Sequence, residues 1–375
     1  MAWFRHDKFG MFIHWGPYSA LAGEWNNQQI PPHTEAEWIM QRFNIPVADY
    51  RERAHNGMPS GGLDEDWETP QTLNTTWGYS KFDQDWKTPG VVIHRLVEIV
   101  SKGGNYLLNI GPMADGTVPQ PSVAVLNEVG KWMSRNSESI YGTTASALPE
   151  FPWGRTTVKG SKLYLHIFSW PADRTIRISG LNNGVNSARL LLDPTHKLPV
   201  ASQDGNILIT VPAAMPDSRD TVIAVELDSP PVVAPPVVTQ DSDTGFELNY
   251  LTAVTTGNAK KRFNRDGGFH IAKWTAPEDI ASWILSVSVA GKYAIKIRYA
   301  AAKDWKDGQY ILTVGHHEMK GPVKATGDGY QYATFDAGTI LFPKAGQYRL
   351  ELKPAEKYSH YLMYLESLTL EPVGQ

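Results

Sequence analysis

The chain has 375 residues, 42% of them hydrophobic and 20% charged, with a formal net charge of −4. That length suggests two or three domains. The composition excludes a disordered chain, and the slight acidity argues against a duplex-binding protein, so no nucleic acid partner is expected. No stretch approaches the roughly 20 apolar residues of a membrane span, and the absence of cysteine removes disulfides, thiolate nucleophiles and cysteine-ligated zinc.

Residues 1–145 mix helix and strand signals. Lys8–Trp15 (KFGMFIHW) is a short apolar run bounded by Gly and Pro, which predicts a buried strand. Glu35–Ala54 begins with helical spacing, at Trp38, Ile39 and Phe43, until Pro46 interrupts it. Val91–Lys102 predicts an amphipathic helix ended by Gly103-Gly104, followed by a strand over Asn105–Ile110 and a second helix over Val123–Met133. This is the texture of an α/β fold. Residues 146–229 turn to short alternating runs (Lys162–Phe168, Thr175–Ile178, Ala188–Leu192, Ile207–Val211, Thr221–Leu227), which predict a small β-sandwich. Ser229–Val238 (SPPVVAPPVV) reads as a stiff linker with few contacts, spanning 230–242 as a boundary. Strand runs resume over 243–375 and predict a second β-sandwich.

Thirteen tryptophans are present, and eight of them (Trp3, Trp15, Trp25, Trp38, Trp67, Trp77, Trp86, Trp132) fall in the first 145 residues. Indole rings fill cores, but they also stack on the C–H faces of sugars and add one N–H donor. The cluster tilts toward a sugar site.

Four segments then become specific: KFGMFIHWGPYS (8–19), WETPQTLNTTWGY (67–79), LVEIVSKGGNYLLNIGPMADGTVP (96–119) and IYGT (140–143). Together and in order they resemble the catalytic domain of the α-L-fucosidases, family 29 of the glycoside hydrolases. The resemblance implies a retaining exo-glycosidase on a (β/α) barrel, acting on terminal α-L-fucose of glycans and needing no metal or organic cofactor. One carboxylate attacks the anomeric carbon while a second protonates the leaving oxygen, the two standing about 5–5.5 Å apart. By the same resemblance His14 contacts the fucose hydroxyls, Glu37-Trp38 matches a Glu-Trp pair beside the sugar, and Trp77 packs on the apolar side of fucose. Glu68, beside Trp67, and Glu37 are the acid/base candidates, although the acidic run Asp64-Glu65-Asp66 before Glu68 also fits a solvated loop.

The sequence departs from the family in the middle. No segment before residue 145 matches the nucleophile Asp in its Trp-Phe-Asp-like context or the paired histidines of an earlier strand. A complete barrel takes roughly 250 residues, far more than the matching span supplies. The expected fold is therefore multidomain, α/β plus all-β: an incomplete (β/α) barrel remnant over 1–145, a β-sandwich over 146–229, and a C-terminal sandwich over 243–375 resembling carbohydrate-binding modules. Its exposed sheet edges would invite self-association. A fucosidase by family, whose turnover is expected to be negligible because the nucleophile-bearing strands are absent, and a non-catalytic carbohydrate-binding protein both fit. The first residues, MAWFRHDK, lack the basic start and apolar core of a signal peptide, while the family resemblance points to the periplasm or secretion. A second candidate sugar or calcium site is Asp304-Trp305-Lys306-Asp307, an aromatic between two carboxylates, which also fits a simple turn.

Overall fold

The computed structural model describes residues 2–14, 22, 24–25, 28–29, 66–241, 245–263, 269–305, 308–327 and 329–374. Among these, residues up to Val233 form one compact unit and those from Ala234 onward a second. Strands dominate both, and helices are few.

The first unit opens with a short helix α1 (Ala2–Asp7), strand β1 (Phe9–Ile13) and a two-residue strand pair, β2 (Glu24–Trp25) with β3 (Gln28–Gln29). There follow β4 (Glu68–Thr72), helix α2 (Pro89–Ser101), β5 (Asn105–Ile110) and helix α3 (Gln120–Asn136). Strands β1, β5 and β4 form an all-parallel sheet in that order, with Phe9 opposite Tyr106 and Glu68 opposite Asn105. Helix α2 starts where Thr88 accepts the Val91 N–H and Pro89 takes the first turn. It stops where the Gly103 and Gly104 N–H groups turn back to the carbonyls of Val100 and Ile99, with Gly103 at φ 86°. A Cβ on Gly104 would come within 2.4 Å of the Trp67 ring, so any larger residue there would displace that ring.

The rest of the first unit is antiparallel. Its strands are β6 (Gly154–Lys159), β7 (Lys162–Ile167), β8 (Thr175–Ser179), β9 (Val185–Leu190), β10 (Asp193–Leu198), β11 (Val200–Gln203), β12 (Asn206–Thr210) and β13 (Thr221–Leu227). They form a five-stranded sheet, β10-β9-β13-β7-β6, and a three-stranded one, β11-β12-β8. Side chains alternate along the central strands. Leu163, Leu165, Ile223 and Val225 enter a core shared with Ile176, Ile178, Ile207 and Ile209 of the smaller sheet, whereas Tyr164, Val222 and Ala224 enter a core shared with α2, α3 and β5. Burial on both faces explains why KLYLHIF and TVIAVEL read as nearly continuous apolar runs.

The second unit contains β14 (Val237–Thr239), β15 (Phe246–Asn249), β16 (Val254–Thr256), β17 (Lys260–Phe263), β18 (Phe269–Ala272), β19 (Ile280–Val287) and β20 (Gly291–Ala300), then β21 (Gln309–Val314), β22 (His317–Pro322), β23 (Ala333–Phe342), β24 (Gly346–Pro354) and β25 (Tyr364–Pro372). Two six-stranded sheets, β14-β19-β24-β21-β22 with β16 on β19 and β17-β18-β25-β20-β23 with β15 on β25, share one core that includes Trp274, Trp283, Tyr293 and Phe342.

The proline-rich stretch is not the weakly attached linker its composition predicts. Val232 donates its N–H to Asn183 Oδ1 at 2.6 Å and accepts the Asn182 N–H at 2.8 Å. Beyond the prolines, β14 pairs in parallel with β19. Proline removes donors only at its own positions, so the intervening valines remain free to join a sheet edge.

Candidate functional site

Parallel sheets fed by helices gather their sites at the C-terminal strand ends, where loops converge. Here that end is built by three segments. Ile13 pairs with Ile110, and the His14 N–H extends the ladder to the Ile110 carbonyl at 3.1 Å, so His14 stands just past the end of β1. Asn109, one residue before the end of β5, lies between Phe12 and Thr72 in register. Trp77 comes from the loop after β4.

These residues interlock. The Asn109 Nδ2 donates to the Trp77 carbonyl at 2.7 Å, which turns its Oδ1 toward His14 Nδ1, also at 2.7 Å. Because Oδ1 only accepts, His14 Nδ1 must carry a proton. The His14 and Trp77 rings lie 5.1 Å apart, and Phe12 meets His14 edge-on at 4.6 Å. His14, Trp77 and Asn109 are all buried.

The Trp77 loop is braced from several sides. Asp83 accepts from the Thr75 N–H at 2.9 Å and the Thr75 hydroxyl at 2.6 Å, and its other oxygen accepts the Asp85 N–H at 3.1 Å. Lys87 donates to the Asn74 carbonyl at 2.8 Å, and burial pulls its pKa below the ordinary lysine value despite the opposing charge of Asp83. Gly111 lets the loop approach: a Cβ there would sit 2.8 Å from Tyr79 N and 2.9 Å from the Trp77 carbonyl oxygen.

The sequence candidates separate on this frame. His14 and Trp77 come together. Glu68 does not join them. It is exposed, opposite Asn105 at the start of β4, five register steps from Ile110, or about 16 Å along the sheet. That distance corrects the expectation that Glu68 serves as acid/base to a sugar held at His14. The neighbouring acidic run has a structural use at that far end: Asp66 takes the Arg5 guanidinium at 2.9 and 3.0 Å, and this pairing holds its carboxyl below the usual range. Glu37 and Trp38, with the helix predicted over 35–54, lie outside the described residues. Asn109 and the bracing role of Asp83 are additions that sequence reasoning missed. A polar residue inside the apolar run NYLLNI was the available signal for Asn109, and the spacing of TT and FDQD for Asp83. Among the described residues no group of three His, Asp or Glu side chains could hold a metal ion.

What this end of the sheet holds is an interlocked group: the rings of Phe12, His14 and Trp77, an imidazole of fixed tautomer and a braced loop. Asp83, six residues past Trp77, spends both oxygens on the loop backbone and hydroxyls.

Comparison with known proteins bears on the same residues. The α-L-fucosidase family profile matches twice, over residues 1–58 and 48–138. A domain of unknown function (DUF5077) matches residues 249–373. The α-L-fucosidase of Dictyostelium discoideum is 33% identical over 170 residues, covering 42% of this chain and 37% of that protein. Human tissue α-L-fucosidase is 36% identical over 129 residues, covering 32% and 27%. Among solved structures, α-L-fucosidase isoenzyme 1 from Paenibacillus thiaminolyticus is 41% identical with a TM-score of 0.44, covering 47% of this chain and 44% of that one. The α-L-fucosidase from Vibrio sp. strain EJY3 is 26% identical with a TM-score of 0.46, covering 85% and 57%. The chain thus spans little more than a third of the Dictyostelium protein. Its N-terminal part, residues 1–138, is similar to the α-L-fucosidases.

Proposed function

We propose that the first unit is a partial (β/α) barrel that keeps the fucose-contacting end of the family site, and that it binds terminal α-L-fucose on glycans. The observation that carries this reading is the placement of His14 and Trp77 on one end of the parallel sheet, tied together by Asn109. The imidazole suits a sugar hydroxyl, while the Trp77 indole suits the methyl and C–H side of fucose. The two family matches meet at residues 48–58, which supports a chain that joins the first and last parts of a barrel. The division into 1–145, 146–229 and, after 230–242, 243–375 is our reading of its modular origin.

Retaining hydrolysis needs two carboxylates across the sugar. Glu68 is at the wrong end and Asp83 is committed, which leaves Glu37 as the acid/base candidate without a matching nucleophile. The reading is therefore recognition with negligible turnover. The family likeness further suggests an exported protein, and the exposed Met11 and Ile13 on edge strand β1 suggest self-association.

Calorimetry of the full chain with L-fucose, beside release of nitrophenol from an aryl α-L-fucoside, tests the reading. Fucose binding that His14→Ala abolishes is the expected result. No binding refutes recognition. Turnover well above that of a Glu37→Gln, Glu68→Gln double variant refutes the inactive assignment.

A further inference from the structure

The second unit carries an aromatic cluster outside its sheet-to-sheet core. Three loops converge where β20 ends and β23 and β25 begin. They bring Trp305, Tyr330 and Tyr361 around Tyr364, the first residue of β25. Trp305 meets Tyr364 edge-on at 5.0 Å and Tyr361 edge-on at 5.9 Å, while Tyr330 and Tyr361 lie 6.1 and 6.4 Å from Tyr364. The group is held from behind. His270 of β18 stacks on Tyr364 at 4.5 Å and is hydrogen-bonded to the Tyr332 hydroxyl at 3.2 Å. The indole edge of Trp305 lies over Gly329, where a Cβ would already touch it at 3.8 Å.

A plug for the end of a sandwich would bury these rings. Instead Tyr330 is 51% exposed, and Trp305, Tyr361 and Tyr364 are each partly exposed. The large rings that fill the core, Trp274, Trp283, Tyr293, Tyr299 and Phe342, are fully covered. The phenols also share one space: after burial, the nearness of Tyr330 and Tyr361 helps push the Tyr364 pKa up, against the pull of Arg262. At the rim, charge is matched. Arg298 pairs with Glu366 and faces the Tyr332 ring.

We propose that Trp305, Tyr330, Tyr361 and Tyr364 form a binding site for a neutral, pyranose-containing glycan. Ring faces take the C–H side of a sugar, and three phenolic O–H groups supply donors and acceptors for its hydroxyls. A neutral ligand is favoured because Arg298 is already paired with Glu366, which leaves that guanidinium no call for an anionic one. The choice of a glycan over another ring compound leans on the proposed reading of the first unit, so the experiment keeps the two apart.

The probe is xyloglucan freed of its fucose, a neutral soluble polysaccharide, cast into native gels through which the full chain migrates. Retardation of the wild type is expected. Tyr330→Ala, at the most exposed ring, should weaken it roughly three- to tenfold with the melting temperature unchanged. Tyr361→Phe, which keeps the ring and removes one hydroxyl, should weaken it less. His14→Ala should leave it intact even where it abolishes fucose binding by the first unit. Three results would overturn the site: no retardation of the wild type, retardation unchanged in both Tyr330→Ala and Trp305→Ala, or retardation lost in His14→Ala but kept in Tyr330→Ala. Retardation that persists while calorimetry finds no fucose binding would sink the first unit's reading and support this one.

Discussion

Replacing Asn109 with leucine should destabilise the first unit by about 2–4 kcal/mol and remove fucose recognition at the same time. The amide is almost wholly buried, 1% exposed. It spends its oxygen on His14 and its NH2 on Trp77, both at 2.7 Å. Leucine keeps the same branched heavy-atom skeleton and is somewhat larger, so no cavity forms and the leading cost is polar. A buried donor and a buried carbonyl each lose a partner, at about 1–3 kcal/mol apiece. The expected total takes the lower part of that range because His14 can turn. Asn109→Asp restores the acceptor for His14 but sets an oxygen against the Trp77 carbonyl, and should recover only part of the loss.

The assay is urea unfolding of the full chain followed by tryptophan fluorescence, with the transition of the first unit fitted separately from that of the second. Nitrogen-15 spectra of the His14 ring add a local readout. In the wild type the proton sits on Nδ1; in Asn109→Leu that preference should weaken. A variant that unfolds at the wild-type urea concentration and keeps the Nδ1 tautomer would refute the reasoning, since it would mean that neither hydrogen bond holds the site.

Three further outcomes are expected. His270 is buried, and burial, aided by the charge of Arg262, lowers its pKa from 6.5 to about 4; the unfolded chain therefore takes up a proton that the native one refuses between those values, and the second unit should lose up to about 3 kcal/mol as pH falls from about 6.5 to about 4, a slope that His270→Phe should flatten in pH-resolved melts. Asp220→Ala should cost the first unit about 3–5 kcal/mol in denaturant titrations, because it strands His166, which is fully buried and bonded to Asp220 at 2.7 Å. A fragment beginning at Ala234 should melt cooperatively, whereas one beginning at Asp243 should melt about 5 °C or more lower, because it lacks β14 and Gln240, whose Oε1 accepts the Ser288 and Val289 N–H groups at 2.9 Å each.

Much of this fold was legible because local signals were strong. Asn105–Ile110 is a strand with the predicted ends, and α2 keeps its predicted C-terminal stop because the glycine cap leaves one way to finish a helix. Strands β6, β10 and β22 were missed for the opposite reason. GRTTVK, DPTHKL and HEMKGP carry polar side chains that a single sequence cannot distinguish from loop, and only the neighbouring strands make them extend. The site divided along the same line. His14 and Trp77 belong to motifs and were found by resemblance. Glu68 was proposed from its indole neighbour, but which end of a strand faces the site is a property of the sheet, invisible until β4 is seen in parallel register with β5. Asn109 was hidden inside an apolar run, where its partners come from two other segments.

That a three-stranded parallel sheet survives here also needs a physical reason. Such a sheet requires cover on its faces and is seldom stable alone. In this chain the cover is secured by a second sheet. Helices α2 and α3 place Val92, Leu96, Val125 and Trp132 in one core with Tyr106 and Leu108 of β5 on one side and Tyr164, Val222 and Ala224 of the five-stranded sheet on the other. Directional bonds fix that helix layer in place. Trp132 donates its indole N–H to the Asp220 carbonyl at 3.1 Å, and His94 donates from Nε2 to the Arg219 carbonyl while stacking on Phe168 at 4.0 Å. Arg155 of β6 and Lys102, the residue that ends α2, both reach Glu98, Arg155 at 2.7 Å and Lys102 at 2.5 Å. The helices are thus held by the antiparallel sheet whether or not further barrel strands exist, and β5, packed beneath them, retains a fixed position for Asn109. The geometry that orients His14 therefore depends, among the described residues, on the neighbouring antiparallel sheet, acting through the helix layer packed on β5.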